Sequence, residues 1–426
     1  IMREKFVKNF AFLLFANFVV KPLWIFGVDR SIQVNTGPIE YGHYFTATNF
    51  AFLFSVILDL GINNFTNRAV SRNARRAGEY MYNLLRLKFL LALLYIVVTL
   101  FFALVSGVRG WLLVLVLGSA INMLLLSFIL HFRAYVAALH IFKVDAFISV
   151  LDKLLAIIMM LSVLFLLPKF SSRSTIALLV GAQMIALLST AVFAFLFLKK
   201  RIHLQTAQWN LKFYRLMILK SLPFALLVLQ MTIYGRIDGI LLNTLLPEGS
   251  DETGVYASGY RLLDAATQFG FLVATLLLPL FSKAIKQRVS VAPLVKLGTL
   301  LVLVASISLA LFTFYFRIDI THIMYHTFDE RYSTVLSILM FAFIPLASIY
   351  VYGTLLTANG NLKQLNQIAV LGIATNLICN LLLIPKEGAI GAAKSALITQ
   401  VVVAIAHLAV CYRVFSQRTD LVDIKA

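Results

Sequence analysis

An all-α integral membrane fold, with twelve transmembrane helices in two six-helix lobes, is expected from three observations. Of the 426 residues, 61% are apolar and only 13% charged, and the mean hydropathy is +0.91. A soluble domain carries about 25% charged residues. Apolar runs of about 20 residues, the length a helix needs to cross a bilayer, recur from end to end. Barrel strands would show shorter, alternating stretches. Lastly, short sequences in the first half return in the same order in the second.

In chain order the apolar runs place spans at residues 8–28, 41–66, 83–106, 111–138, 143–168, 175–198, 214–244, 254–282, 294–316, 332–357, 363–385 and 389–414. The first run is too long for a signal-peptide core and lacks a small-residue cleavage site, so it is expected to remain as a span. Lysine and arginine set the orientation. With the first residue placed in the cytoplasm, 25 of the 37 basic residues fall in inner connections, seven in outer ones and five within spans. Both termini are therefore expected to be cytoplasmic. The clusters Arg68, Arg72, Arg75, Arg76 and Lys199, Lys200, Arg201 suit anchors on an anionic leaflet. Because the net charge of +19 is spread over many short connections, a nucleic-acid partner is not expected. Cys379 and Cys411 lie in apolar helices, which leaves no disulfide framework.

The repeat is carried by three pairs. Glu40-Tyr41-Gly42-His43-Tyr44 opens the second span and Glu252-Thr253-Gly254-Val255-Tyr256 the eighth. Leu166-Leu167-Pro168-Lys169 closes the fifth and Leu383-Ile384-Pro385-Lys386 the eleventh, while Lys143 corresponds to Lys363. Six spans per half is an even number, so both halves enter the membrane in the same sense, a parallel repeat about a pseudo-twofold axis along the membrane normal. The expected division is a lobe over 1–200, a cytoplasmic connection over 201–213 and a lobe over 214–426. Two such lobes facing each other are expected to enclose a cavity that rocking opens to alternate sides.

Lys21, Lys153, Arg236, Arg261 and Lys394 each fall within a span, where a charge costs at least a few kcal/mol. Asp152, Asp238 and Asp264 lie near them in sequence. Arg261 and Asp264 are spaced i, i+3 and can pair; Arg236 and Asp238, two apart, cannot face one cavity. These charges can also be interhelical pairs that only fix packing. Five cations against three anions nevertheless predict an electropositive cavity for an anionic cargo, and arginine matches phosphate with paired donors. His322, His326 and Asp319 share one face of an outer segment, a spacing that suits a metal but equally incidental surface histidines. The acidic pairs Asp251-Glu252 and Asp329-Glu330 lie in outer connections too short to build a catalytic site. No phosphate-binding glycine-lysine loop, zinc-hydrolase motif or nucleophile elbow is present.

Several of these residues carry a resemblance. Leu58-Asp59-Leu60-Gly61 with Arg68, Ile237-Asp238, Gly254-Val255-Tyr256 with Tyr260-Arg261-Leu262, and Asn376, Asn380, Ile384-Pro385, Gly388 and Gly391-Ala392-Ala393 follow in order. With these the chain resembles, over nearly its whole length, the Wzx-type O-antigen and capsule-unit flippases of the multidrug/oligosaccharidyl-lipid/polysaccharide exporter superfamily. The resemblance implies a non-enzymatic carrier in a bacterial inner membrane. Its cargo would be a polyprenyl-pyrophosphate-linked oligosaccharide, moved from the cytoplasmic to the outer leaflet through a cationic lumen. Arg236, Arg261 and Lys153 would then bind the anionic head and Lys21 and Lys394 line the outer exit, with Asp59 and Arg68 at a cytoplasmic gate. Coupling to H+ or Na+, with no other cofactor, would fall to Asp238 or Asp264, or leave them, like Asp152, in salt bridges. Membrane lipids and the glycan polymerase machinery are the implied partners. The alternatives are a multidrug exporter of the same superfamily, which wants a carboxylate-lined cavity, and a membrane glycan polymerase or ligase, which needs a larger outer loop.

Overall fold

In the computed structural model the described residues are 19–20, 22–139, 141–166, 170–202 and 211–416. Among them there are helices, short turns and no strands. Packing divides the chain into two units, Ile1–Ala225 and Leu226–Ala426. The division falls inside a long helix, whereas the sequence suggested the connection 201–213.

In the first unit a π-helical turn, Leu23–Asp29, leads into α1 (Arg30–Leu53). Polar residues at 30–36 suggested a loop here. The helix instead runs through them, because Ser31 and Thr36 donate back to the carbonyls of Gly27 and Ile32, a bond that satisfies the hydroxyl within the helix. The break is confined to Gly37 (φ 78°, ψ 172°), just before Pro38. Proline disfavours helical geometry in the residue before it, and glycine reaches a positive φ without penalty. The expected boundaries at 28 and 41 are corrected accordingly.

The second expected span is not a single rod either. After Leu53 come a 3₁₀ turn, Ser55–Leu58, and two positive-φ residues, Leu60 (38°) and Gly61 (81°). Helix α2 (Ile62–Arg72) then resumes at an angle of 47°. Helices α3 (Ala77–Val105), α4 (Gly110–Ala138), α5 (Phe142–Leu166) and α6 (Ser172–Lys199) complete this unit's spans. Gly107 (φ 81°) follows the end of α3, and the Ser171 hydroxyl caps α6 by accepting from the Ser174 amide at 3.3 Å. Helix α4 is the hub, packing on α1, α2, α3, α5 and α6. Its buried Phe128, Phe132 and Tyr135 join Met81 of α3, Ile148 of α5 and Leu187 of α6 in one core.

Helix α7 (Leu211–Leu245) begins in the first unit, where Tyr214 packs on Ile62, Leu84, Leu87 and Leu91. The second unit continues with α8 (Gly249–Lys286), α9 (Ala292–Tyr315), α10 (Arg317–Tyr325), α11 (Glu330–Ala358) and α12 (Leu362–Ser416). The short α10 occupies what the sequence suggested was only an outer connection. Helix α11 is the hub here, against α8, α9, α10 and α12. A Cβ added at Gly259 of α8 would stand 3.2 Å from the Leu336 backbone of α11, so the small residue permits this close approach. At 55 residues, α12 would measure about 80 Å as one straight rod, against a hydrocarbon thickness near 30 Å. It is broken at Gly388 (φ 57°, ψ −130°). Helical geometry continues past Pro385 to that glycine, again shortening an expected gap.

Nine helices among the described residues are long and apolar enough to cross a membrane, or ten when the bent α1–α2 pair counts as one span. Their outward faces carry Leu93, Val97 and Phe101 on α3 and Leu297, Leu301 and Leu311 on α9, all exposed. Such continuous apolar surface is stable only in lipid. The protein is a multi-pass helical membrane protein.

Candidate functional site

The second unit gathers most of the charged residues singled out from sequence. Arg236 on α7 makes a two-pronged ion pair with Asp264 on α8, Nη1 to Oδ2 at 3.1 Å and Nη2 to Oδ1 at 3.2 Å. The guanidinium also lies 5.0 Å from the ring centre of Tyr260, whose hydroxyl donates to the Gly235 carbonyl at 2.6 Å. The side chains of Arg236 and Asp264 are 23% and 40% exposed. The pairing of Asp264 with Arg261, suggested by their spacing, is therefore corrected. Helical spacing fixes a shared face, but the shorter route runs across to α7. Arg261 turns instead toward α10, donating to the Tyr325 hydroxyl at 3.4 Å.

Asp238 points elsewhere, as its helical phase requires. It is 2% exposed and accepts from Asn376 at 2.9 Å, from Asn380 at 2.7 Å and from the Tyr256 hydroxyl at 2.9 Å. Asn380 also donates to Asn376, and the Ser395 hydroxyl to the Asn376 backbone carbonyl. Among the described residues Asp238 has no cationic partner. A buried carboxylate held only by neutral donors is a costly arrangement, since its charge is compensated by dipoles alone.

The remaining candidates are dispersed. Lys153 lies 3.7 Å from Asp152 and 5.1 Å from the Trp24 ring, with its side chain 39% exposed. Lys394 pairs with Glu387 at 2.5 Å, a carboxylate that the count of three acids omitted. Asp59 accepts from the Asn63 amide at the start of α2. Arg68 lies in α2, and its side chain, like the whole of Lys21, falls outside the described residues. His322 stacks on Phe328 with ring centres 4.2 Å apart. Among the described residues no cluster of histidine, cysteine and acidic side chains could hold a metal.

Sequence reasoning missed Lys88. It is 2% exposed and donates to the Leu58 carbonyl at 2.9 Å and the Ser127 hydroxyl at 2.6 Å. Starting the third span at 83 placed it near the aqueous end, but α3 begins at Ala77 and carries Lys88 three turns in. The signal was available: Leu84, Leu87 and Leu91 surround it on a helical face and are buried. Three carboxylates of the acidic pairs at 251–252 and 329–330 meet at one arginine. Arg331 joins Asp251 (3.0 Å), Glu252 (2.6 Å) and Asp329 (2.8 Å). That hydrogen bond from Arg331 holds the Asp329 carboxyl below the usual carboxylate range.

An arginine–carboxylate pair held inside membrane spans marks a functional site by default, and comparison with known proteins supplies the family and the fold. The chain matches the family described as polysaccharide biosynthesis protein over residues 6–285, and it belongs to that family. No curated protein matches it. Among solved structures, it resembles an inward-facing multidrug resistance MATE family transporter of the MOP superfamily, with a TM-score of 0.71 at 15% identity, covering 93% of this chain and 96% of the other. It also resembles the lipid II flippase MurJ in its inward closed conformation, with a TM-score of 0.70 at 15% identity over 96% and 87%. A MOP superfamily transporter from Pyrococcus furiosus, described as having a binding pocket of reverse polarity, gives 0.65 at 14% identity over 96% and 95%. The fold is thus of the MOP type, the superfamily of the resemblance drawn from sequence.

Proposed function

We propose that this protein flips a polyprenyl-pyrophosphate-linked oligosaccharide from the cytoplasmic to the outer leaflet of a bacterial inner membrane by alternating access. Family membership and the likeness to a lipid II flippase support a lipid-linked glycan as cargo. The observation that carries the reading is the Arg236–Asp264 pair. Its guanidinium offers two parallel donors, stays partly exposed, and is held by a carboxylate whose oxygens a phosphate reproduces. A pyrophosphate can therefore displace Asp264 from Arg236. Arg236 and Arg261 are the contacts we assign to the anionic head. Lys153 and Lys394 each offer a point charge rather than the paired donors of Arg236, which makes them secondary.

The coupling ion, H+ or Na+, is assigned to Asp238 in preference to Asp264, which is already neutralised by arginine. A cation drawn to Asp238 needs only that Asn376 and Asn380 turn their carbonyl oxygens toward it, and oxygen ligands suit a hard cation.

We further propose twelve spans in a six-plus-six parallel repeat, with both termini cytoplasmic. The breaks at Gly37 and Gly388 supply two of the span boundaries. Each unit also ties three helix beginnings to one glutamate. Glu40 of α1 accepts from Trp111 of α4 at 3.1 Å and Arg173 of α6 at 2.8 Å. Glu252 of α8 accepts from Arg331 of α11 and from the Ala389 amide, just past the α12 break, both at 2.6 Å. The two glutamates are the pair that opened the sequence repeat.

The test is thermal stability of the detergent-purified protein titrated with polyprenyl pyrophosphate, with a lipophilic cation as comparator. At ~100 times its dissociation constant a ligand of the folded state adds about 2.7 kcal/mol. Arg236→Ala is expected to lose that stabilisation and to abolish flipping, and Asp264→Asn, which releases the guanidinium, to bind more tightly. Normal flipping by Arg236→Ala would overturn the assignment. Stabilisation by the cation alone would favour a multidrug exporter, which the MATE likeness accommodates equally.

A further inference from the structure

The second unit holds a cavity of about 220 Å³ that none of these assignments uses. It lies between α7, α11 and α12. Leu227, Leu346 and Ile349 are among its apolar walls, and Tyr234, Tyr350 and His407 are polar members of its lining. Tyr234 and His407 are only 5% and 4% exposed. His407 Nδ1 is 2.8 Å from the Val403 carbonyl. A carbonyl can only accept, so Nδ1 carries the proton and Nε2 presents a lone pair. A Cβ built on Gly353, another lining residue, would stand 3.5 Å from that Nε2; glycine leaves the nitrogen open to the cavity. Among the described residues neither Nε2 nor the Tyr234 hydroxyl has a hydrogen-bond partner. Both polar atoms face the cavity and are available to hydrogen-bond what enters it.

The chemistry of the occupant follows from the walls. Among the described residues no aspartate, glutamate, lysine or arginine lines the cavity, and the lining that is described suits a neutral ligand. Nε2 needs a donor and the tyrosine hydroxyl needs an acceptor, a combination that alcohol groups supply. In size the cavity exceeds the 150 Å³ that admits a benzene ring and falls short of the roughly 300 Å³ of drug-sized sites. One six-membered ring with its substituents fits; an oligosaccharide does not. The tyrosine rings and aliphatic side chains present apolar surface to the C–H face of such a ring. We propose that this cavity binds one neutral pyranose residue of the cargo, with Tyr234 and His407 engaging its hydroxyls. This rests on the lipid-linked oligosaccharide reading, though at residues separate from the arginines assigned to the head.

The experiment measures thermal stability of the full-length protein in detergent with a panel of neutral methyl pyranosides, and separately with farnesol as an apolar alcohol. At least one glycoside is expected to stabilise the protein. Its affinity is expected to fall ~2- to 10-fold, the scale of one hydrogen bond, in Tyr234→Phe and in His407→Leu. His407→Gln, which keeps an acceptor, is expected to recover most of the loss. Three results overturn the proposal: no glycoside stabilises, the variants bind as the parent does, or farnesol alone stabilises in a Tyr234-dependent manner. Glycoside binding without polyprenyl pyrophosphate binding would sink the head-group assignment and leave the sugar site standing.

Discussion

Arg236 and Asp238 show how two residues apart on one helix come to separate chemistries. One meets a carboxylate and an aromatic face; the other meets two amides and a phenol. Their divergence was legible in the sequence, because it follows from helical phase alone. The partners were not, since Asp264 had a nearer sequence neighbour in Arg261. A residue-scale prediction concerns Asp329, which caps α11 by accepting from the Arg331 amide at 2.9 Å and from its guanidinium. Its carboxyl is held below the usual range by that arginine. A folded pKa below the unfolded one gives stability that is full above the ordinary carboxylate range and is lost as pH falls through the lowered value. Asp329→Asn, which keeps a capping oxygen but removes the charge facing Arg331, is expected to destabilise by ~0.2–1 kcal/mol at pH 7. The difference from the parent should shrink on acidification, as followed by denaturation at several pH values; a gap unchanged with pH would discard the electrostatic account.

At the scale of elements, the departures from expectation are helix ends and breaks. Polar residues suggested loops at 29–40 and 317–331, yet helix occupies most of both, because side chains can satisfy themselves against the helix's own carbonyls. Breaks fall at Gly37, Gly61 and Gly388, each with positive φ. The bend near Gly61 frees the Leu58 carbonyl, and Lys88 reaches it from α3. A sequence reveals a lysine in an apolar run, but not a carbonyl opened on another helix. Close packing of α8 on α11 depends on Gly259. Gly259→Leu is expected to cost ~1–3 kcal/mol by overpacking, whereas substitution at Gly181, where an added Cβ meets nothing within 4 Å, should be tolerated in the same unfolding assay. Equal stability of the two variants would show that the approach at Gly259 is adjustable.

For the molecule as a whole, Glu40 and Glu252 are the residues on which the proposed repeat can be probed. Each unites the beginnings of three helices, and a hydrogen bond to a charged group contributes ~1.5–3 kcal/mol. Glu40→Gln and Glu252→Gln are each expected to lower stability by about that amount, with near-additive loss in the double variant because the two glutamates share no hydrogen-bond partner among the described residues. Strong non-additivity in chemical denaturation would contradict two separate clamps, one in each unit.

Composition and periodicity were enough for the membrane environment and the helical class, because lipid forces every backbone polar group into helices or closed barrels and so leaves its mark on each segment; the superfamily likeness came from the ordered motifs. Charges in apolar runs also flagged Arg236, Asp238 and Asp264, while Asn376 and Asn380 stood out only through the resemblance. Which of these meet was decided in three dimensions. Asp264 chose Arg236 over Arg261, Lys394 found Glu387, and Asp238 found no cation among the described residues. A contact across helices depends on their rotation and depth, which side-chain packing sets only when the whole unit assembles.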